Sequence, residues 1–245
     1  MANKVFPFIT KTVNPLGGQC PHRCSYCWRH QLVNRFPVLA ERYLGSCWLD
    51  ESRLKPLNNP DDFVFLCDMT DLMAITVPDR IIERVLDFVR DSKAKFLIQT
   101  KNPQRFFDFL DYMPNNVVLS SSIESNRNYP SLGKAPSQKE RLETMTNLRH
   151  ATDLPLFIAI EPILDFDLKS FVDHVRRVAP SSVVVGYDNY NHKMAEPSLA
   201  KTLKFIEQLE TFTYVHKKTL RNALRKPEFE NESLPVQEAV NQAQN

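Results

Sequence analysis

Glycine is scarce in this chain, with five in 245 residues. Neither GxGxxG nor GxxxxGKS/T occurs, so the glycine-rich turns that bring backbone against a nucleotide's phosphates are missing, and a Rossmann or P-loop reading is excluded. Long apolar runs are missing too. No stretch approaches the roughly 18 uncharged apolar residues of a spanning helix, and the leading MANKVFPFITKTVNPLGG holds no apolar targeting segment. The expectation is a cytoplasmic protein with no membrane partner. Charge of either sign is also in short excess. At a net +2, bulk electrostatics neither demands nor forbids a nucleic-acid partner. No internal repeat or low-complexity tract is present.

Cysteine is sparse but concentrated. Of five cysteines, three fall in CPHRCSYC, as Cys20, Cys24 and Cys27, and a compact loop can aim all three at one metal centre. The other two, Cys47 and Cys67, stand apart, a distribution that suits thiols kept reduced for metal binding better than a secreted disulfide framework. Iron–sulfur clusters are normally held by four thiolates. A cubane held by three leaves one iron without a protein ligand and open to another molecule.

With 42% hydrophobic and 24% charged residues, the composition is that of a soluble globular protein, and the length suits one large α/β domain. Short, nearly continuous apolar runs alternate with longer amphipathic segments, as expected of βα units around a parallel sheet buried on both faces. Strands are expected at Phe63 to Cys67, Lys95 to Gln99, Asn116 to Ser120, Leu156 to Ile160 and Ser182 to Gly186, with a weaker first strand within Val5 to Val13. Helices are expected at about Pro78 to Arg90, Pro103 to Tyr112, Gln138 to His150, Leu168 to Val178 and Glu196 to Leu209. Six strands with intervening helices make an incomplete (β/α)6, TIM-like barrel, with the cysteine loop after the first strand. The segment from Asn34 to Asp61 reads as an irregular excursion. The domain is assigned to residues 1–226, and the polar stretch 227–245 is expected to be a mobile tail.

Most runs end in polar residues: Asp68, Thr70 and Asp71; Thr100, Lys101 and Asn102; Ser121, Ser122 and Glu124; Glu161; Tyr187, Asp188 and Asn189. In a (β/α) barrel these ends share one rim, where active sites are built.

CPHRCSYC, including the aromatic Tyr26 before the third cysteine, resembles the CxxxCxxC signature of the radical S-adenosylmethionine (SAM) superfamily. The order CDMTDLM, LIQTKNPQRF, SSSIES, IEPIL and VVVGYDN is similar to a phage- and prokaryote-associated branch whose substrates are unassigned, and more distantly to spore photoproduct lyase, over roughly Val13 to Asn191. The resemblance implies a 4Fe-4S cluster on Cys20, Cys24 and Cys27, with the amino and carboxylate groups of SAM on the fourth iron. One electron from a donor such as flavodoxin or ferredoxin then cleaves SAM to methionine and a 5′-deoxyadenosyl radical, which abstracts a hydrogen atom from substrate. The partial (β/α)6 barrel usual in that superfamily agrees with the strand count. CDMTD stands where the superfamily usually carries a glycine-glycine-glutamate turn. By position, backbone at Asp68 to Thr70 and the side chain of Asp68 or Asp71 would hold the SAM amino group. Ser120 and Ser122 would face its ribose or carboxylate, and Glu161 the adenosyl or substrate region.

Other readings compete. Cys20, Cys24 and Cys27 with His22 or His30 would also make a tetrahedral zinc site, and the protein would then be a non-catalytic zinc- or cluster-stabilised module binding nucleic acid or a protein. Trp28 is placed over the metal site. Lys101 and Arg105, four apart, share one helix side if that segment is helical, where they would meet SAM carboxylate or a substrate phosphate. Asp188, Asn189, Tyr190, Asn191 and His192 would read a substrate's polar groups, or the tyrosine would relay a radical. Lys217, Arg221 and Arg225 make a basic stripe if His216 to Lys226 is helical, suited to nucleic-acid phosphates. A nucleobase or nucleic acid is the preferred substrate class, with peptide modification as its rival.

Overall fold

The computed structural model describes residues 5–224. Its centre is a seven-stranded, all-parallel sheet: β1 (Lys11–Val13), β4 (Phe63–Leu66), β5 (Lys95–Thr100), β6 (Val117–Ser122), β7 (Leu156–Ile160), β8 (Ser182–Gly186) and β9 (Tyr214–Lys218), neighbours in that order. The sheet curls into a half-barrel of TIM-like design. β1 and β9 are its two edges. A separate antiparallel pair, β2 (Leu16–Gly17) with β3 (Trp48–Leu49), closes the base of the excursion.

Five expected strands lie within two residues of their expected bounds, and the first is reduced to its last three residues. The seventh strand was not anticipated. β9 occupies the start of the segment expected to be a basic helix, and hydrogen-bonds in parallel to β8 from Tyr214 to Lys218. The basic stripe does not exist as expected: Lys217 pairs with Glu210 at 2.7 Å and Arg221 with Glu196 at 2.6 Å, while Arg225, like residues 225–245, lies outside the described residues.

Connecting helices cover the outer face. They are α3 (Asp79–Arg90), a 3-10 segment (Pro103–Tyr112), α4 (Gln138–Ala151), α5 (Leu168–Val178) and α6 (Leu199–Leu209). α4 begins with a full capping box between Ser137 and Glu140, which satisfies two end amides reciprocally. α6 begins with Ser198 accepting from the Lys201 amide. The excursion holds two short helices, α1 (Trp28–Arg35) and α2 (Pro37–Arg42).

Side-chain alternation gives the sheet two faces. Outward residues such as Val64, Leu66, Phe96 and Ile98 pack with the helices in one large core. Inward residues Phe65, Leu97, Phe157, Ala159 and Val184 form a second, smaller cluster with Phe6 and Ile9 of the N-terminal segment. That segment plugs the floor of the half-barrel. The same alternation, continued toward the strands' carboxyl ends, turns Gln99, Ser120 and Ser122 into the lumen above the apolar floor.

Candidate functional site

The cysteine loop runs from the end of β2 into α1, and Cys27 is the residue just before that helix. Three anchors hold it against the strand ends. At the first, His22 Nε2 lies 2.7 Å from Asp71 Oδ2, both buried. At the second, the Tyr26 hydroxyl donates to Glu124 and receives a hydrogen bond from Lys101 Nζ. At the third, the Ser25 amide donates to Leu132 O at 2.8 Å and the Lys134 amide to His22 O at 2.6 Å. Between these last two bonds sits Gly133. A Cβ there would stand 2.5 Å from His22 O and 3.1 Å from Cys24 Cα, so only glycine lets the 132–134 backbone come this close.

Cys20, Cys24 and Cys27 are all free thiols. Burial, reinforced by the Asp71 carboxylate, pushes the Cys20 thiol up to about 12. Burial also raises Cys24, which lies close enough to Cys20 and Cys27 to interact electrostatically with each. Loading a metal group here therefore releases protons. Among the described residues, no three His, Cys, Asp or Glu side chains converge as ligands of a single ion. His22, one of the zinc ligands considered, contacts Asp71 through Nε2. Three thiols within eight residues of one loop are the sulfur donor set that iron–sulfur clusters use. A buried Arg29 with unpartnered Nε and Nη1 stands two residues past Cys27, a position that favours an anionic group beside it.

The remaining expected residues divide into two groups. Asp68, Thr70 and Asp71 lie just past β4 and beside the loop. Asp71 is fully engaged, accepting from Thr100 Oγ1 at 3.0 Å and from the amides of Lys101 at 2.8 Å and Met73 at 3.0 Å, besides His22. Burial opposes its charge, but the His22 contact and these donors outweigh it and hold the carboxyl below the usual range. Asp68 is half-buried and accepts from Asn14 Nδ2 at 2.5 Å. Burial raises its carboxyl.

Ser120 and Ser122 line the lumen and are buried. Gln99 stands beside Ser120 in register and donates to Ser122 Oγ at 3.0 Å. Ser120 Oγ and Gln99 Oε1 are buried without partners; two such atoms facing one lumen are suited to a polar ligand. Glu161, past the end of β7, is paired with Lys218 of β9 at 2.8 Å and accepts from Asn189 Nδ2 at 3.3 Å. Burial raises its carboxyl despite the Lys218 charge.

Glu124 is a second heavily bonded carboxylate of the rim. It accepts from Lys101 Nζ at 2.5 Å, Arg141 Nη2 at 2.7 Å and Gln138 Nε2 at 3.3 Å, as well as from Tyr26. Burial would raise its carboxyl, but the Arg141 and Lys101 charges prevail and hold it far below the usual range. A cavity of about 310 Å³ lies beside this knot, lined by Cys24, Tyr26, Lys101, Glu124, Gly133 and Arg141.

Lys101 and Arg105 do not share a ligand-facing side. Lys101 precedes the 3-10 segment, which begins at Pro103, and points to Glu124, while Arg105 is buried on Val77 O at 3.1 Å and paired with Asp79. Of the β8 exit, Asp188 is buried and accepts from the His192 ring at 2.9 Å, while Tyr190 is exposed. Trp28 is half-buried on the first turn of α1. Gln99 and the His22–Asp71 pair were not foreseen. Alternation along β5 would have marked Gln99, but nothing local marks a pair 49 residues apart.

Residues 4–218 match a family model described as a protein of unknown function, DUF5131. The chain belongs to that family. No curated protein matches this DUF5131 chain. Solved structures with a similar fold include spore photoproduct lyase complexed with dinucleoside spore photoproduct, at TM-score 0.52 and 12% identity, covering 82% of this chain and 61% of that one. A mutant of the same lyase with bound AdoMet and dinucleoside spore photoproduct gives TM-score 0.50 at 12% identity, with the same 82% and 61% coverage. SuiB of Streptococcus suis bound to S-adenosylmethionine gives TM-score 0.51 at 10% identity, covering 87% of the DUF5131 chain and 51% of SuiB. The chain thus spans half to three-fifths of the length of these proteins. At such identities the likeness is one of fold. Among the described residues, no helix is long and apolar enough to cross a membrane.

Proposed function

We propose that this chain is a radical SAM enzyme. Cys20, Cys24 and Cys27 would hold a 4Fe-4S cluster, SAM would complete the fourth iron, and a low-potential donor such as flavodoxin or ferredoxin would reduce it. The observation that carries this reading is a loop of three free thiols pinned at three points to the carboxyl rim of a parallel half-barrel, whose lumen presents unpartnered polar atoms of Gln99 and Ser120. The fold shared with AdoMet-bound lyase and SAM-bound SuiB supports it. When bound, the reduced cluster supplies the electron that cleaves SAM to methionine and a 5′-deoxyadenosyl radical.

The protein's own work is orientation and shielding. Asp71 is already engaged by His22, Thr100 and two amides, so it acts as the brace between loop and sheet. Asp68, with one observed donor, is the better acceptor for that amino group, alongside the backbone near Thr70. Ser120, Ser122 and Gln99 would bond SAM or substrate polar atoms in the lumen. The floor of Phe6, Phe65, Leu97 and Phe157 keeps water from the radical. Glu161, tied to Lys218, faces the remaining space as a polar contact for adenosyl or substrate.

The substrate we favour is a nucleobase, in a nucleic acid or free, because two of the similar structures hold a dinucleoside lesion. SuiB, with the same fold, binds a precursor peptide, which keeps peptides as the rival class. The deciding experiment incubates reduced, reconstituted protein and SAM with deuterated candidate substrates. Deuterium in 5′-deoxyadenosine identifies the hydrogen donor, and SAM cleavage that never acquires label from either class rejects both substrates.

A further inference from the structure

Arg29 sits on the first turn of α1, two residues past Cys27, and only 5% of it is exposed. Its guanidinium is always charged, yet among the described residues neither Nε nor Nη1 has a hydrogen-bond partner, and no carboxylate pairs with it. Its one ring contact is Tyr43, with the centroid 5.8 Å away. An unpaired buried charge is among the most unfavourable arrangements in a protein interior. By contrast, the buried Arg141 and the half-buried Lys101, two cations of the same rim, both reach Glu124. Arg29 has no such partner, and it lies within electrostatic range of Cys20.

From this we infer that Arg29 is the built-in counter-charge of the group held by Cys20, Cys24 and Cys27, a positioning residue that favours the group's more negative, reduced state. This rests on the cluster assignment above. Three thiolates overbalance the positive charge of an oxidised 4Fe-4S core, so the bound group is anionic, and adding one electron makes it more so. Net charge and burial are levers on the potential of such clusters. A fixed cation only 5% exposed acts more strongly than one in open water because less solvent screens it.

The two states give opposite expectations, which makes the test specific. Arg29→Met removes the charge and keeps much of the bulk; Arg29→Lys keeps the charge; Arg35→Met, on the exposed end of the same helix, is the control. In metal-free protein, Arg29→Met is expected to raise the thermal midpoint above wild type. In anaerobically reconstituted protein, an EPR-monitored dithionite titration is expected to place its midpoint more negative by at least a tenfold change in the reduction equilibrium, about 59 mV for one electron. Arg29→Lys keeps most of the wild-type potential, and Arg35→Met leaves both readings unchanged. If Arg29→Met loses its cluster while Arg29→Lys retains it, the counter-charge role stands. Equal potentials in wild type and Arg29→Met, or cluster loss in both Arg29 variants, overturn it. A wild-type protein that takes up no iron and sulfide sinks the cluster assignment itself, an outcome separate from any effect of Arg29.

Discussion

Glu124 and Arg141, 1% and 3% exposed at their side chains, show how a rim residue can serve structure before chemistry. Removing one member of such a pair strands the other. Glu124→Gln is expected to destabilise the fold by about 3–5 kcal/mol, read from urea denaturation, with Arg141 and Lys101 left facing each other. The pH dependence follows from the same carboxyl. Its native value lies below the ordinary 4.5, so its contribution is whole above pH 4.5 and is lost as the pH falls from there toward the depressed native value. Wild type should therefore lose stability on acidification more steeply than Glu124→Gln; parallel curves would contradict this. Ser120→Ala makes the complementary case. With no partner for its hydroxyl, the variant should keep its folding stability within about 0.5 kcal/mol yet bind SAM roughly tenfold more weakly, the worth of about one hydrogen bond, by equilibrium dialysis.

At the scale of elements, the 130–136 segment matters because it cradles the cysteine loop through backbone. Gly133→Ala forces a Cβ against His22 O, so the expected result is a folded barrel by circular dichroism with reduced iron per chain after reconstitution. Unchanged iron content would show that the loop tolerates the shift. Helix packing behind the sheet is ordinary by comparison. Phe171, fully buried and stacked on Phe205 at 4.8 Å, should cost about 3–5 kcal/mol when cut to alanine.

The elements also mark where the sequence was readable. Runs such as LFIAI and SVVVG announced β7 and β8 because strands buried on both faces leave no polar alternation to confuse. β9, YVHKK, failed that test. As an edge strand it pairs on one side only, tolerates charge, and so looked like the start of a basic helix. Pro103–Tyr112 carried a helical pattern, but its turns are 3-10 and begin after Lys101, so Lys101 and Arg105 share no helix side. That Cys20, Cys24 and Cys27 share one loop and that Asp68, Ser120, Ser122 and Glu161 stand at strand ends was legible, because motif and strand ends are local. Asp71's role as a brace was not, since it depends on His22, Thr100 and Lys101 arriving from other segments.

For the whole molecule, the design is a half-barrel with its floor stoppered by Phe6 and Phe8, its rim tied by buried ion pairs, and a thiol loop laid across the strand ends. Only the last of these makes it more than a scaffold. The most direct measurement is iron and sulfide analysis of anaerobically reconstituted protein, followed by EPR of the reduced sample before and after SAM. The account predicts about four irons and four sulfides per chain, a reduced-cluster signal that changes when SAM is added, and complete loss of iron in the Cys20, Cys24 and Cys27 triple alanine variant but not in Cys47→Ala or Cys67→Ala. Zinc in place of iron, a spectrum indifferent to SAM, or a full cluster in the triple variant would contradict it.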